Sequence, residues 1–270
     1  MADAPDVPDR RDALTLDPPD PWEAPGPPGS RSVPDPLAER FGTDGFVKLE
    51  GAVPPEVARE CARLLWAETG CDPADPGTWT RPVRWVWDMA QEPFDRAVNT
   101  PVLHDAFDRL LGPGRWLPRH SLGSFPLRFP HEEEPDDTGW HIEGSYLPEG
   151  ARTYHANHRS RDRALLMLFL FSEVAEEDAP TRIRVGSHHD MPALLGPYGE
   201  KGASIMRIGP AIDAASAHRP VVYATGRPGD VYLCHPFLVH AAQPHHGSRP
   251  RLMAQPALFP AAGAPLSATG

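Results

Sequence analysis

Cysteine is scarce: Cys61, Cys71 and Cys234 are the only three among 270 residues. An odd number with no C-x-x-C spacing argues against a disulfide framework and a thiolate zinc site, and predicts reduced structural thiols. Basic charge is also short. Against 37 Asp and Glu stand 26 Lys and Arg, a formal charge of −11. Such a chain repels the phosphates of nucleic acid and of anionic membranes, so neither is expected as a partner. Long apolar runs are missing too: the longest, Ala164 to Phe171, spans eight residues where a bilayer needs ~20. The opening MADAPDVPDRRD lacks the apolar stretch of a secretory signal and the acid-poor pattern of a transit peptide, which predicts a cytoplasmic protein. Finally, 35 prolines, far above the usual ~5%, leave little room for long helices or heptad repeats.

What is present suits a globular protein. Hydrophobic residues make up 40% of the chain and 270 residues suffice for one large domain without covalent staples. Residues 1–36 alternate Pro, Asp, Ala and Gly, bury little, and predict a flexible arm; residues 260–270 read the same way as a tail. A single folded domain is expected over 37–259.

Within it, Phe46, Val47 and Leu49 suggest a short strand. Pro54-Pro55-Glu56 then opens a helix whose Val57, Cys61, Leu64 and Leu65 repeat at helical spacing up to Gly70. A second helix is expected from Pro101 to Leu111, stopped by Gly112-Pro113. From Trp116 onward come short apolar runs broken by Gly and Pro: SLGSFPLRF, ALLMLFLFSEV, TRIRVGS, PVVYATG, DVYLCHPFLVH and RLMAQPALF. They predict a mainly β protein, an antiparallel sandwich or jelly roll without helix-length crossovers, with the early helices packed outside.

Three features carry chemistry. In Trp140-His141-Ile142-Glu143, an extended backbone puts the imidazole and the carboxylate on one face. About a hundred residues later, after the Pro228-Gly229-Asp230 turn, the apolar Phe237-Leu238-Val239 leads into His240. A His-x-carboxylate pair plus one remote His is the facial triad of non-haem iron oxygenases, which leaves the opposite face of the metal open. Arg249 and Arg251 share strand parity, so alternation does not choose between them; either guanidinium, if buried, could bind a carboxylate through two parallel hydrogen bonds.

Together with Phe41-Gly-Thr-Asp-Gly-Phe46, Ala179-Pro-Thr-Arg-Ile-Arg-Val-Gly-Ser-His188 and Gly229-Asp230, these residues resemble the phytanoyl-CoA dioxygenase family of iron(II)- and 2-oxoglutarate-dependent oxygenases. The resemblance implies a double-stranded β-helix, cupin-like core, with His141, Glu143 and His240 as Fe(II) ligands. It favours Arg251, eleven residues past His240, as the grip on the far carboxylate of 2-oxoglutarate. It further implies O2 as cosubstrate and hydroxylation of an unactivated C–H bond of a small organic molecule, with succinate and CO2 as coproducts. Glu143 stands where the family usually has aspartate, one methylene shorter, so it must fold back or shift the metal. That carboxylate argues against halogenation, which needs a small residue there. Ala242 and His245 replace the family's usual hydroxyl and asparagine. The alternative is a non-catalytic or 2-oxoglutarate-independent cupin-like metal-binding protein.

Among the remaining candidates, His188 and His189 are alternative metal ligands, with a structural hydrogen bond expected of His188; His235 is expected to point elsewhere, and His245 and His246, in a Gly/Ser loop, to be solvated or to touch substrate at the pocket mouth. The acidic run His131 to Glu134, with Asp136 and Asp137, reads as a solvated loop or a lid. Trp79, Trp85 and Trp87 with Arg81 and Arg84 form a cluster able to cover a site. The net charge makes a CoA thioester a poor substrate, and a small specialised-metabolite or amino-acid-like molecule a better one.

Overall fold

A computed structural model describes residues 35–160 and 162–261; all but the innermost residues of the expected arm and tail lie outside these. Asp35 caps helix α1 (Pro36–Asp44), its carboxylate accepting the Leu37 N–H at 2.9 Å. Gly45, at φ +81°, ends the helix and turns the chain into β1 (Phe46–Leu49). Next come α2 (Pro55–Thr69), β2 (Val83–Met89), α3 (Glu92–Val98), α4 (Pro101–Leu111) and β3 (Leu122–Arg128). The strand-rich half holds β4 (His155–Ala156), β5 (Leu165–Leu170), β6 (Arg182–Arg184), α5 (Met191–Leu195), β7 (Ala203–Ser204), α6 (Gly209–Ser216) and β8 (Val221–Tyr223). It closes with β9 (Val231–Cys234), β10 (His240–Ala241), β11 (Met253–Ala254) and β12 (Ala257–Leu258).

Every pairing between these strands is antiparallel. One sheet runs β1-β9-β5-β11, with β12 also on β5; a second runs β10-β6-β8; β2-β3 and β4-β7 are two-stranded. A bridge between Arg128 and Arg251, and the Gln255 N–H on the Ser124 carbonyl at 2.8 Å, join the β2-β3 ribbon to the β11 edge.

The period of two in β5 explains the layering, because the whole strand is buried and each face serves a different core. Leu165, Met167 and Phe169 join the apolar faces of α2, α3 and α4; Leu166, Leu168 and Leu170 face Ile183 of β6 and Leu238. Beyond the smaller sheet, α5 and α6 contribute Met191, Leu195 and Ile212 to a third cluster with Ile142 and Val239. The expected strand and both expected helices are present. The structure adds α1, α3 and β2, and places short helices α5 and α6 where only strands were anticipated. Prolines at the first turns of α1, α3, α5 and α6 start these helices, so high proline content here limits helix length, not helix number.

Two turns lock the sheets together. Gly186 donates to the Asp44 carbonyl at 2.8 Å, the Ser187 hydroxyl accepts the Val239 N–H at 2.8 Å, and His188 Nε2 pairs with the Gly42 carbonyl at 3.0 Å. This is the structural role expected of His188. Gly45 has no room for a side chain, since a Cβ would meet His188 Nδ1 at 2.5 Å. Burial, reinforced by neighbouring His189, lowers the His188 pKa from 6.5 to about 4. At the second turn the Asp230 carboxylate accepts the N–H groups of Gly51 and Arg227 at 2.9 and 3.0 Å and pairs with Lys48 Nζ at 2.9 Å. Burial pushes the Asp230 pKa up, but these donors outweigh it and hold the carboxyl below its ordinary value.

Both groups make the fold acid-labile. Unfolded His188 binds a proton that the native state refuses, so stability falls as pH drops from 6.5 toward about 4. In urea titrations at a series of pH values, His188→Gln should flatten this slope, whereas an unchanged slope would contradict the assignment. Asp230→Ala should cost roughly 2–4 kcal/mol at neutral pH by stranding two N–H groups and Lys48. The stabilisation Asp230 provides is present above 3.8 and lost as pH falls through its depressed native value, so the penalty should shrink in strong acid.

Candidate metal and cosubstrate site

The segment around His141 is extended, as its sequence predicts. Ile142 is fully buried in the cluster with α5 and α6, while His141 and Glu143 project to the opposite side. His141 and His240 exchange backbone hydrogen bonds, N–H to carbonyl in both directions at 3.0 Å, and Glu143 N–H donates to the Pro236 carbonyl at 3.0 Å. The two imidazoles therefore lie together, ring centroids 4.3 Å apart.

Both rings are oriented by their own backbone. His141 Nδ1 pairs with the Gly139 carbonyl at 2.8 Å and His240 Nδ1 with the Leu238 carbonyl at 2.9 Å. A carbonyl only accepts, so each Nδ1 carries a proton and each Nε2 is left out of that bond. Burial, then the neighbouring His141, lowers the His240 pKa to about 3, which keeps that ring neutral. Trp140, one residue earlier, packs against the guanidiniums of Arg182 and Arg184, 4.8 and 4.1 Å from its ring. Arg182 also donates to the carbonyls of Thr138 and Ala242, which fixes the chain on both sides of the histidine pair.

Glu143 completes the donor set only in part. Its Oε1 is 3.7 Å from His240 Nε2, and its Oε2 is paired with Arg163, whose guanidinium lies over the Tyr154 ring at 5.3 Å. Among the described residues no group of three or more His, Cys, Asp or Glu side chains is arranged to hold a metal ion as it stands. Adjacent donors about 2.1 Å from one ion lie roughly 3 Å apart. The imidazoles present the right atoms, and the carboxylate is drawn toward Arg163 while remaining beside His240. Two imidazoles and one carboxylate fit a divalent first-row metal by donor chemistry. Arg163 has no counterpart in the sequence reading; its only sequence signal is a charge directly before the apolar run of β5.

His141 and His240 line a cavity of about 580 Å³, together with Trp85, Arg128, Asp137 and Gln255 among others. Arg251 is fully buried, with Nη1 on the Ala179 carbonyl at 2.5 Å and Nη2 on the Pro126 carbonyl at 3.0 Å. It is the buried member of the pair that parity left open; Arg249 is exposed and bound to Asp178 at 3.0 Å. Arg128, which the sequence reading passed over, is the guanidinium that lines the cavity. Its signal was parity: Ser124, Pro126 and Arg128 alternate with the buried Leu127 and Phe125 of β3.

Two expectations need correction. His245 is buried, its Nε2 on the Arg249 carbonyl at 2.7 Å, because the loop after Pro244 folds back on itself; His246 is exposed. The acidic stretch is solvated at Glu132 to Glu134, but Asp137 turns inward onto Arg128 at 2.6 Å. His235 packs against Phe41 and His188, away from the histidine pair. The tryptophan cluster divides: Trp79 is buried against Trp66 and Phe129, whereas Trp85 and Trp87 stack on each other, exposed, at 5.3 Å. The cysteines are buried thiols, and burial pushes Cys61 up to about 12.

The chain matches the family described as phytanoyl-CoA dioxygenase (PhyH) over residues 41–253. No curated relative matches it by sequence. Among solved structures it is similar to the epimerase SnoN in complex with Fe3+, alpha ketoglutarate and nogalamycin RO, with 23% identity, TM-score 0.58, and coverage of 87% of this chain and 86% of that one. It is also similar to EctD from S. alaskensis with bound Fe, with 22% identity, TM-score 0.57 and coverage of 87% and 79%. A third is HygX from Streptomyces hygroscopicus with nickel, 2-oxoglutarate and hygromycin B, with 18% identity, TM-score 0.54 and coverage of 86% and 90%. These likenesses establish a shared fold. The sequence match from the first helix to β11 establishes more: this chain belongs to the phytanoyl-CoA dioxygenase family.

Proposed function

We propose that this protein is an Fe(II)- and 2-oxoglutarate-dependent dioxygenase that oxidises a C–H bond of a small organic substrate and releases succinate and CO2. The observation that carries this reading is the histidine pair: two neighbouring imidazoles, both oriented through Nδ1, opening into a cavity that a buried arginine also lines. Residues 37–259 form the single oxygenase domain, the two larger sheets being the halves of a double-stranded β-helix with α2, α3 and α4 outside it.

In this reading His141, Glu143 and His240 hold the metal and Arg251 grips the far carboxylate of 2-oxoglutarate. Bound Fe(II) with O2 supplies the coupled oxidative decarboxylation and substrate oxidation. The protein contributes orientation and exclusion of water. Nδ1–H bonds to Gly139 and Leu238 keep both imidazoles in the ligating tautomer. Membership of the family and the iron and 2-oxoglutarate named with SnoN, EctD and HygX support the cofactor assignment. The apolar rim, with Trp85 at 47% and Met206 at 72% exposure, supports a compact substrate with an apolar face over a CoA thioester. The three buried free thiols support a cytoplasmic setting. No helix among the described residues is long and apolar enough to cross a membrane.

Anaerobic addition of Fe(II) and 2-oxoglutarate together should produce a weak visible charge-transfer band that neither gives alone. His141→Ala and His240→Ala should abolish it. A band that persists in both variants would place the metal elsewhere; metal binding without any band would favour the 2-oxoglutarate-independent alternative. Calorimetric titration with Ni(II) should show Glu143→Ala binding at least roughly tenfold more weakly than the parent, and equal affinity would remove Glu143 from the ligand set.

A further inference from the structure

Two tryptophans of β2 stand in water beside the cavity, and the reading above uses only one of them, as part of an apolar rim. Trp85 and Trp87 are 47% and 64% exposed, and their rings stack at 5.3 Å with 11° between the planes. Indole rings left in water forgo burial that would stabilise the fold, and a contiguous exposed apolar patch marks a binding surface. The pairing of β2 with β3 shows which surface they extend. Trp85 lies opposite Pro126 and Trp87 opposite Ser124, and directly paired residues share a face. Val86, Phe125 and Leu127 take the other face, in the core with α2, α3 and α4. Pro126 lines the cavity, as does Trp85 itself. Trp85 also borders an outer groove of about 770 Å³, whose wall includes Trp87. The tryptophan pair therefore continues the cavity wall outward along the ribbon.

The charge of the cavity wall says what kind of molecule suits this surface. It holds three carboxylates, Asp136, Asp137 and Asp213, against one guanidinium, Arg128. Asp137 is paired with Arg128, and Asp213 with Arg184. Asp136 is exposed and forms no ion pair among the described residues. An indole face carries negative potential, so it attracts a flat ring, and attracts it more when the ring is cationic. We propose that Trp85, extended by Trp87, is a stacking platform for a substrate with a flat ring system and a basic nitrogen, and that Asp136 pairs with that nitrogen. Trp85 and Asp136 thereby determine specificity, and neither belongs to the proposed metal or cosubstrate contacts. Because the two indoles already rest on each other, the platform is set before the ligand arrives, which lowers the ordering cost of binding. That the occupant is a substrate rests on the oxygenase reading above, which the platform deepens.

The test is equilibrium dialysis of the full-length protein against three probes. They are 9-aminoacridine, a flat aromatic cation; acridine, nearly the same ring system but uncharged at neutral pH; and 1-adamantanamine, a cation of comparable bulk with no flat face. The parent should bind 9-aminoacridine roughly tenfold more tightly than either of the others. Trp85→Leu should weaken both acridines roughly tenfold and leave 1-adamantanamine within about twofold, a split that general loss of structure does not produce. Asp136→Asn, which keeps the side-chain shape, should weaken 9-aminoacridine roughly three- to tenfold and leave acridine within about twofold. A parent without preference for the flat cation, or binding none of the probes, would overturn the platform. So would a Trp85→Leu variant that binds like the parent or loses all three probes equally, and an Asp136→Asn variant that does not separate the two acridines. None of the probes needs the metal. A parent that shows the preference but no charge-transfer band with Fe(II) and 2-oxoglutarate would keep the platform and lose the cosubstrate reading; the reverse result would remove the platform alone.

Discussion

Two backbone hydrogen bonds make the site. His141 and His240 each donate an N–H to the other's carbonyl at 3.0 Å, and this exchange closes the distance between segments that are far apart in the chain. Without it the histidines would belong to two unrelated loops. The flanking residues fix the register of the bridge. Ile142 and Val239 bury themselves with α5 and α6, the Ser187 hydroxyl holds the Val239 N–H, and the Glu143 N–H is satisfied by Pro236. A slip of one residue would turn both imidazoles into that apolar cluster, so the hydrophobic pattern and the proposed metal geometry specify the same arrangement.

The interior built around this bridge is positively charged. Arg128 lines the cavity and Arg182 and Arg184 pack on Trp140, which also lines it; backbone carbonyls accept from Arg182, Arg184 and Arg251, and carboxylates of Asp137 and Asp213 from Arg128 and Arg184. Arg182 and Arg184 both pack on the Trp140 ring, next to the histidine. The outside of the molecule is acidic by comparison, at −11 for the chain. In the proposed function an anionic cosubstrate would meet a buried local charge that the net charge of the chain does not reveal.

Much of this was legible beforehand. Alternation placed the strands, and β5 could be read as buried on both faces from an unbroken apolar run. His-x-Glu parity predicted the shared face of His141 and Glu143. The contacts that escaped depend on long-range geometry. Nothing near Arg163 in the sequence marks it as the partner of Glu143, twenty residues away. Parity set Arg128 on one face of β3 with Ser124 and Pro126, but its burial comes from the backbone bridge to Arg251, which the sequence does not show. Asp137 was hidden within an acidic loop whose other members are solvated. Helix α1 was missed because its cap, Asp35, adjoins a proline-rich stretch that resembles the arm before it.

The central claim is that His141 and His240 share one ion. Anomalous diffraction at the nickel edge, from crystals of Ni(II)-loaded protein, tests this most directly. The account predicts a single strong peak between the two Nε2 atoms, with a Glu143 oxygen in the coordination sphere. A peak bound elsewhere, or imidazoles left uncoordinated at full nickel occupancy, would contradict it.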